Sequence, residues 1–205
     1  LKDISSAKEH FEQLSSANKL SISQYYMNEA ALYALEARVK LYMQNYEGAA
    51  SAAEQAIALR ASADISNEDY VAMWSSVAIN DEDIFTIAKS NADNLSANSL
   101  NTLYNSYGGS ISQFVKVKFN ANDIRLNLIS GNHPEKFDGI PSAQAVSNIP
   151  VFRKSEMYLI AAESYANLSE IENARAALLY TAKRDSDITG TNDLPDTKEA
   201  LLSFI

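Results

Sequence analysis

Apolar residues recur along this chain mostly at helical spacing. Ile4, Ala7, Phe11 and Leu14 fall on one face of a short amphipathic helix, and Ser15 to Asn18 reads as its end and a loop. Ser21 with Gln24 forms a capping-box pattern. It predicts a second helix over residues 23–43, carrying Ala30, Ala31, Ala34, Leu35, Ala37, Arg38 and Leu41. Gln44-Asn45 breaks it, and Ala49, Ala50, Ala53, Ala56 and Ile57 predict a third helix over 46–59. So few residues join the last two that they must lie antiparallel. Their small residues let the backbones approach closely.

The pattern changes in the middle. Residues 66–76 read as a short helix bearing Tyr70, Met73 and Trp74, with Val77 on the same face. Residues 83–88 and 114–119 alternate as half-buried strands do. Residues 90–100 are a polar loop, and Tyr104 to Gly109 reads as a turn. Residues 120–150 hold three of the four prolines and two of the six glycines, and read as irregular. Helical spacing returns in Met157, Ala161, Ala162, Tyr165, Ala174 and Leu178.

The helical windows share a finer spacing. Ala37 precedes Ala49 by twelve residues and Ala49 precedes Ala56 by seven, with Tyr46 and Ala53 between. These are positions where a tetratricopeptide repeat places small and aromatic residues. Ala162 and Ala174 repeat the twelve-residue offset, with Tyr165, Ile171 and Leu178 in place and Thr181 where alanine is usual. The two windows stand much further apart than the ~34 residues of a regular array. The expected architecture is therefore all-α: TPR-like helical hairpins over about 4–59 and 154–205, interrupted by an insertion of loops and short strands over about 60–153, in one domain spanning 1–205.

Several stretches resemble the SusD/RagB family. The run Glu29 to Tyr42 is similar to the family's "AAyALlARvyLy". Glu82-Asp83-Ile84-Phe85 is similar to its "E-x-IF", and Asp123-Ile124-Arg125 to its "D-x-R". Ile149 to Tyr165 is similar to "Pv-x-R-x-aEmyLi-AEa", and Lys198 to Leu202 to the helix after the last repeat pair. The run Ile149 to Tyr165 is the most specific of these. Family members usually begin with a lipidated cysteine and carry chain on both sides of this region, so the sequence reads as the middle of such a protein. The resemblance implies a lipid-anchored protein of the outer-membrane surface. It would capture an oligosaccharide, or in some members a peptide, for a SusC-like TonB-dependent transporter. It implies no catalysis and no cofactor. The alternative is a TPR-type scaffold that holds a protein or peptide segment.

Composition narrows the chemistry. Lys and Arg total 17 against 26 acids, a formal charge of -9, which disfavours nucleic acid. The absence of cysteine removes disulfides, thiolate zinc and a cysteine nucleophile. No apolar run approaches the roughly 20 residues of a membrane span. His10 and His133 have no partner at metal spacing, and no nucleophile elbow or phosphate loop occurs. Asp185 to Asp196 partly follows a calcium loop, but aspartate stands where the bidentate glutamate is needed; a polar inter-helix loop with Asp196 as N-cap is the simpler reading, and no metal is expected. Arg38 and Arg153, on otherwise apolar segments, are expected to pair with glutamates such as Glu156 and Glu163. Sugar rings present C–H faces to aromatic side chains. Trp74, Tyr104 and Tyr107, near Asn101 and Asn105 in the insertion, are therefore the expected ligand contacts, although Trp74, at helical spacing from Tyr70 and Val77, reads more readily as core.

Overall fold

A computed structural model describes residues 1–20, 23–90, 92, 100–137 and 146–205. Helices α1 (Lys2–Glu12) and α2 (Ser16–Leu20) precede the first hairpin, α3 (Glu29–Tyr42) and α4 (Tyr46–Leu59). The insertion holds α5 (Asn67–Ala72), β1 (Asp83–Ile87), α6 (Leu100–Asn105), α7 (Gln113–Lys116), β2 (Ile129–Ser130), β3 (His133–Pro134) and β4 (Ile149–Arg153). The second hairpin is α8 (Lys154–Asn167) and α9 (Ile171–Ala182), and α10 (Lys198–Phe204) packs against it. The fold is all-α and TPR-like, with only short antiparallel strands.

The two hairpins are remote in sequence and adjacent in space. Helix α4 packs on α3 along one side and on α8 along the other, and α8 packs on α9. Ala30, Ala31, Ala34 and Ala37 of α3 share one core with Ala49, Ala52, Ala53 and Ala56 of α4 and with Met157, Ile160 and Ala161 of α8. A methyl is all that each interface can hold at such positions. Both hairpins turn through a residue at positive φ, Gln44 at 58° and Ser169 at 64°, each two residues past the end of its helix. Thr181, where the repeat pattern departs from alanine, is buried because its hydroxyl donates to the carbonyl of Leu178 at 3.1 Å. A backbone acceptor one turn back satisfies the extra polar atom.

The ends of the insertion are tied together. Strands β1 and β4 pair antiparallel, with Phe85 opposite Phe152, Thr86 opposite Pro150 and Ile87 opposite Ile149. Asn28 links this ribbon to the first hairpin. Its side-chain oxygen caps α3 by accepting from the amide of Ala31, and its Nδ2 donates to the carbonyl of Ile84 at 2.9 Å. Lys154, at the start of α8, is buried, and its ammonium donates to the carbonyls of Ser62 and Ala63.

Four local expectations are corrected. Helix α3 starts at Glu29, not at residue 23, because Asn28 supplies the cap; the Ser21 of the expected capping box lies outside the described residues. Residues 16–20 form a helical turn instead of a loop. Residues 114–119 are not a strand: Ser112 caps the single turn of α7, and Phe114, Val115 and Val117 stand exposed. Tyr104 belongs to α6, and the turn begins after it. Most of the expected 90–100 loop lies outside the described residues.

Candidate ligand-binding site

Where the insertion meets the helical stack, five cations from separate segments surround a cavity of about 750 Å³. Lys118 follows α7, Arg125 lies in the 3-10 turn Ile124–Leu128, and Lys136 follows β3. Arg153 ends β4 and stands at the N-terminal cap of α8, and Arg184 follows α9. Tyr70, Phe119, Leu159 and Phe204 complete much of the wall.

Beneath this wall lies the carboxylate of Glu82, fully buried just before β1. Its Oε1 accepts from the Tyr180 hydroxyl at 2.5 Å and from Arg184 Nη2 at 3.4 Å. Its Oε2 accepts from the Ser155 amide at 3.2 Å and also from the Ser155 hydroxyl. Arg184 donates to Ser155 Oγ at 2.6 Å, and Arg153 Nη1 lies 3.9 Å from Glu82. A buried carboxylate requires this many partners. Burial first, then the charge and hydrogen bond of Glu82, push the Tyr180 phenol well above its ordinary value.

Cations also cover the aromatic rings. The guanidinium of Arg184 lies 3.8 Å from the Tyr70 ring centre. Lys136 and Arg153 approach the Trp74 ring at 4.7 and 5.1 Å. Tyr70 and Phe137 meet Trp74 edge-on at 6.2 and 4.9 Å. Burial pushes the Lys136 ammonium below the usual lysine range; Arg153 and Arg184 add to this and Tyr70 opposes it. Burial also raises the Tyr70 phenol, but Lys136, Arg184 and Arg153 outweigh it, and the net direction is down.

The three aromatic residues expected to contact a ligand are placed differently from one another. Trp74 is buried in a core cluster with Tyr70, Met73 and Leu128. Tyr104 is half-buried, with its ring 6.5 Å from that of His133. Tyr107 is 67% exposed on the turn that passes through Gly108 at φ 72°. None of the three lines the large cavity. The side chains of Asn101 and Asn105 lie outside the described residues. Arg38 finds Glu156, bidentately at 2.6 and 2.8 Å, and also the carbonyl of Val151 at 2.9 Å. In the Asp185 loop, Asp185 accepts from Asn120 at 2.6 Å, while Asp193 accepts from Thr189 and Gly190. Among the described residues no three potential metal ligands cluster.

No protein-family model matches the chain, and no curated protein matches it. Solved structures do. A SusD superfamily protein from Bacteroides vulgatus ATCC 8482 superposes over 98% of this chain with a TM-score of 0.79 at 27% identity. This chain therefore has the SusD-type fold, and its solved neighbours are SusD superfamily proteins. A second structure from the same organism, provisionally named a sugar binding protein, matches the SusD-type chain over 98% with a TM-score of 0.80 at 27% identity. A SusD-like carbohydrate binding protein, also from that organism, shares the fold at 18% identity and a TM-score of 0.73. The SusD-type chain spans about half the length of these structures, covering 48%, 49% and 45% of them.

The cation cluster was not read from the sequence. Glu82, Arg125 and Arg153 lie in motifs that carry the family resemblance, whereas Lys136 and Arg184 sit in no pattern.

Proposed function

We propose that this protein captures an oligosaccharide at the outer-membrane surface for a SusC-like TonB-dependent transporter, without chemistry on the ligand. The observation that carries this reading is the superposition, at 27% identity over 98% of the chain, on a structure named as a sugar binding protein. Lipid anchoring and the transporter partnership follow from the family resemblance. No helix among the described residues is long and apolar enough to cross a membrane. Within the insertion, Tyr107 offers a tyrosine ring 67% open to solvent, with Tyr104 on the adjoining helix; Trp74 would act from beneath the surface. A sugar face laid on an exposed tyrosine ring gains about 0.5–1.5 kcal/mol beyond its area burial, if it behaves as aromatic pairs do.

The test is a glycan array followed by isothermal titration, with Tyr107→Ala, Tyr104→Ala and Trp74→Ala beside the parent protein. Binding of an oligosaccharide, weakened by Tyr107→Ala with the circular dichroism unchanged, supports capture and locates it. No glycan bound, together with recovery of a defined peptide, would replace this reading with the TPR-type scaffold.

A further inference from the structure

We infer that the cation-lined cavity is a docking site for an acidic polypeptide segment, one that carries Asp or Glu side chains beside apolar ones. The argument begins with charge. Arg125 is neutralised bidentately by Asp123, at 2.9 and 2.5 Å. Arg153 and Arg184 share the single carboxylate of Glu82. Glu156, also in the wall, is engaged by Arg38. Among the described residues no carboxylate pairs with Lys118 or Lys136, and Arg153 Nη1 is buried without a hydrogen-bond partner. Lys118 is exposed at the rim, whereas Lys136 is half-buried, and a half-buried cation in excess of its counter-ions is costly until an anion arrives. The volume lies within the roughly 300–1,000 Å³ of established ligand sites.

The wall decides the kind of anion. A sugar needs an open ring face, and here Arg184 covers Tyr70 while Arg125 lies 5.2 Å from the Phe119 ring centre. What remains between the cations is aliphatic, Leu159 and Ile205, together with one open aromatic ring, that of Phe204 at 47% exposure. Alternating cationic and apolar surface matches a polypeptide that alternates carboxylate and aliphatic side chains. An acidic glycan would bring carboxylates on rings with C–H faces in place of aliphatic side chains, and the oligogalacturonate arm below tells the two apart. The site is distinct from Tyr104 and Tyr107, so peptide docking and glycan capture can occur on the same molecule.

The experiment is fluorescence anisotropy with a short fluorescein-labelled peptide of Glu and Leu, its Gln-for-Glu counterpart, and an oligogalacturonate as competitor. The acidic peptide is expected to bind, the Gln peptide to bind at least tenfold more weakly, and added salt to weaken the complex. Lys118→Gln and Lys136→Met should each reduce affinity about tenfold. Lys2→Gln, the same charge change on α1 away from the cavity, should leave it unchanged. Lys118 is exposed, so Lys118→Gln keeps the test decisive should Lys136→Met fail to fold. Failure of the acidic peptide to bind would overturn the inference. So would affinity indifferent to both lysine substitutions, or an oligogalacturonate that binds in the cavity while the peptide does not. Binding of a neutral oligosaccharide, scored separately with Tyr107→Ala, bears on glycan capture alone.

Discussion

Replacing Glu82 with glutamine keeps the shape and removes the charge that three segments share. Oε1 serves Tyr180 and Arg184, and Oε2 serves Ser155 twice. An amide has one oxygen, so in either orientation its NH2 faces donors. Arg184 and Arg153 lose their common counter-ion at the same time. Breaking a buried ion pair from one side costs about 3–5 kcal/mol. That is between a fifth and all of the roughly 5–15 kcal/mol that holds a typical domain together. At a urea dependence near 2 kcal/mol/M, the unfolding midpoint should fall by about 1.5–2.5 M. Far-UV circular dichroism in urea measures it, with Glu9→Gln as a control; Glu9 is exposed on α1, and its change should stay within about 0.5 kcal/mol. A midpoint shift below about 0.5 M for Glu82→Gln would refute the claim that one carboxylate anchors the cluster.

Lys136→Met should raise stability at neutral pH by about 1 kcal/mol, since it removes a buried cation without a carboxylate. The folded protein holds the Lys136 proton less tightly than the unfolded chain, so stability of the parent rises with pH toward about 10.4, and the variant's urea midpoint should lack that rise. Arg38→Lys should cost about 1–2 kcal/mol by calorimetry, because an ammonium cannot hold Glu156 bidentately, reach Val151 and cover Phe152 at once. Ala53→Leu, fully buried where α4 meets its neighbours, should cost about 1–3 kcal/mol through overpacking, read as a lower thermal midpoint.

The helical hairpins were legible because their information is local. Ala49, Ala53 and Ala56 mark one helix face by spacing alone, and α4 begins and ends where that spacing indicates. The start of α3 was not legible, since the side chain of Asn28 is fixed by the carbonyl of Ile84, far along the chain. Residues 114–119 misled because alternation also arises in a capped turn whose apolar residues stay exposed. The cavity was legible only in fragments. Lys136 and Arg184 meet there because β3 and the end of α9 converge in space, and no spacing in a sequence records that convergence.

The short ribbon of β1 and β4 closes the chain from Ile87 to Ile149 into a loop whose two ends lie side by side. For a flexible loop with fixed ends, doubling its length costs only about 0.6 kcal/mol of closure entropy. The chain between Ile87 and Ile149 can therefore be lengthened at little closure cost while the alanine-packed helices keep their contacts, provided Asn120, Ile124 and Leu128 stay to hold Asp185, Arg184 and the Trp74 cluster. Changes in what the molecule recognises need not be changes in whether it folds, and a new specificity could be grafted between those two isoleucines with β1, β4 and the helices left as they stand.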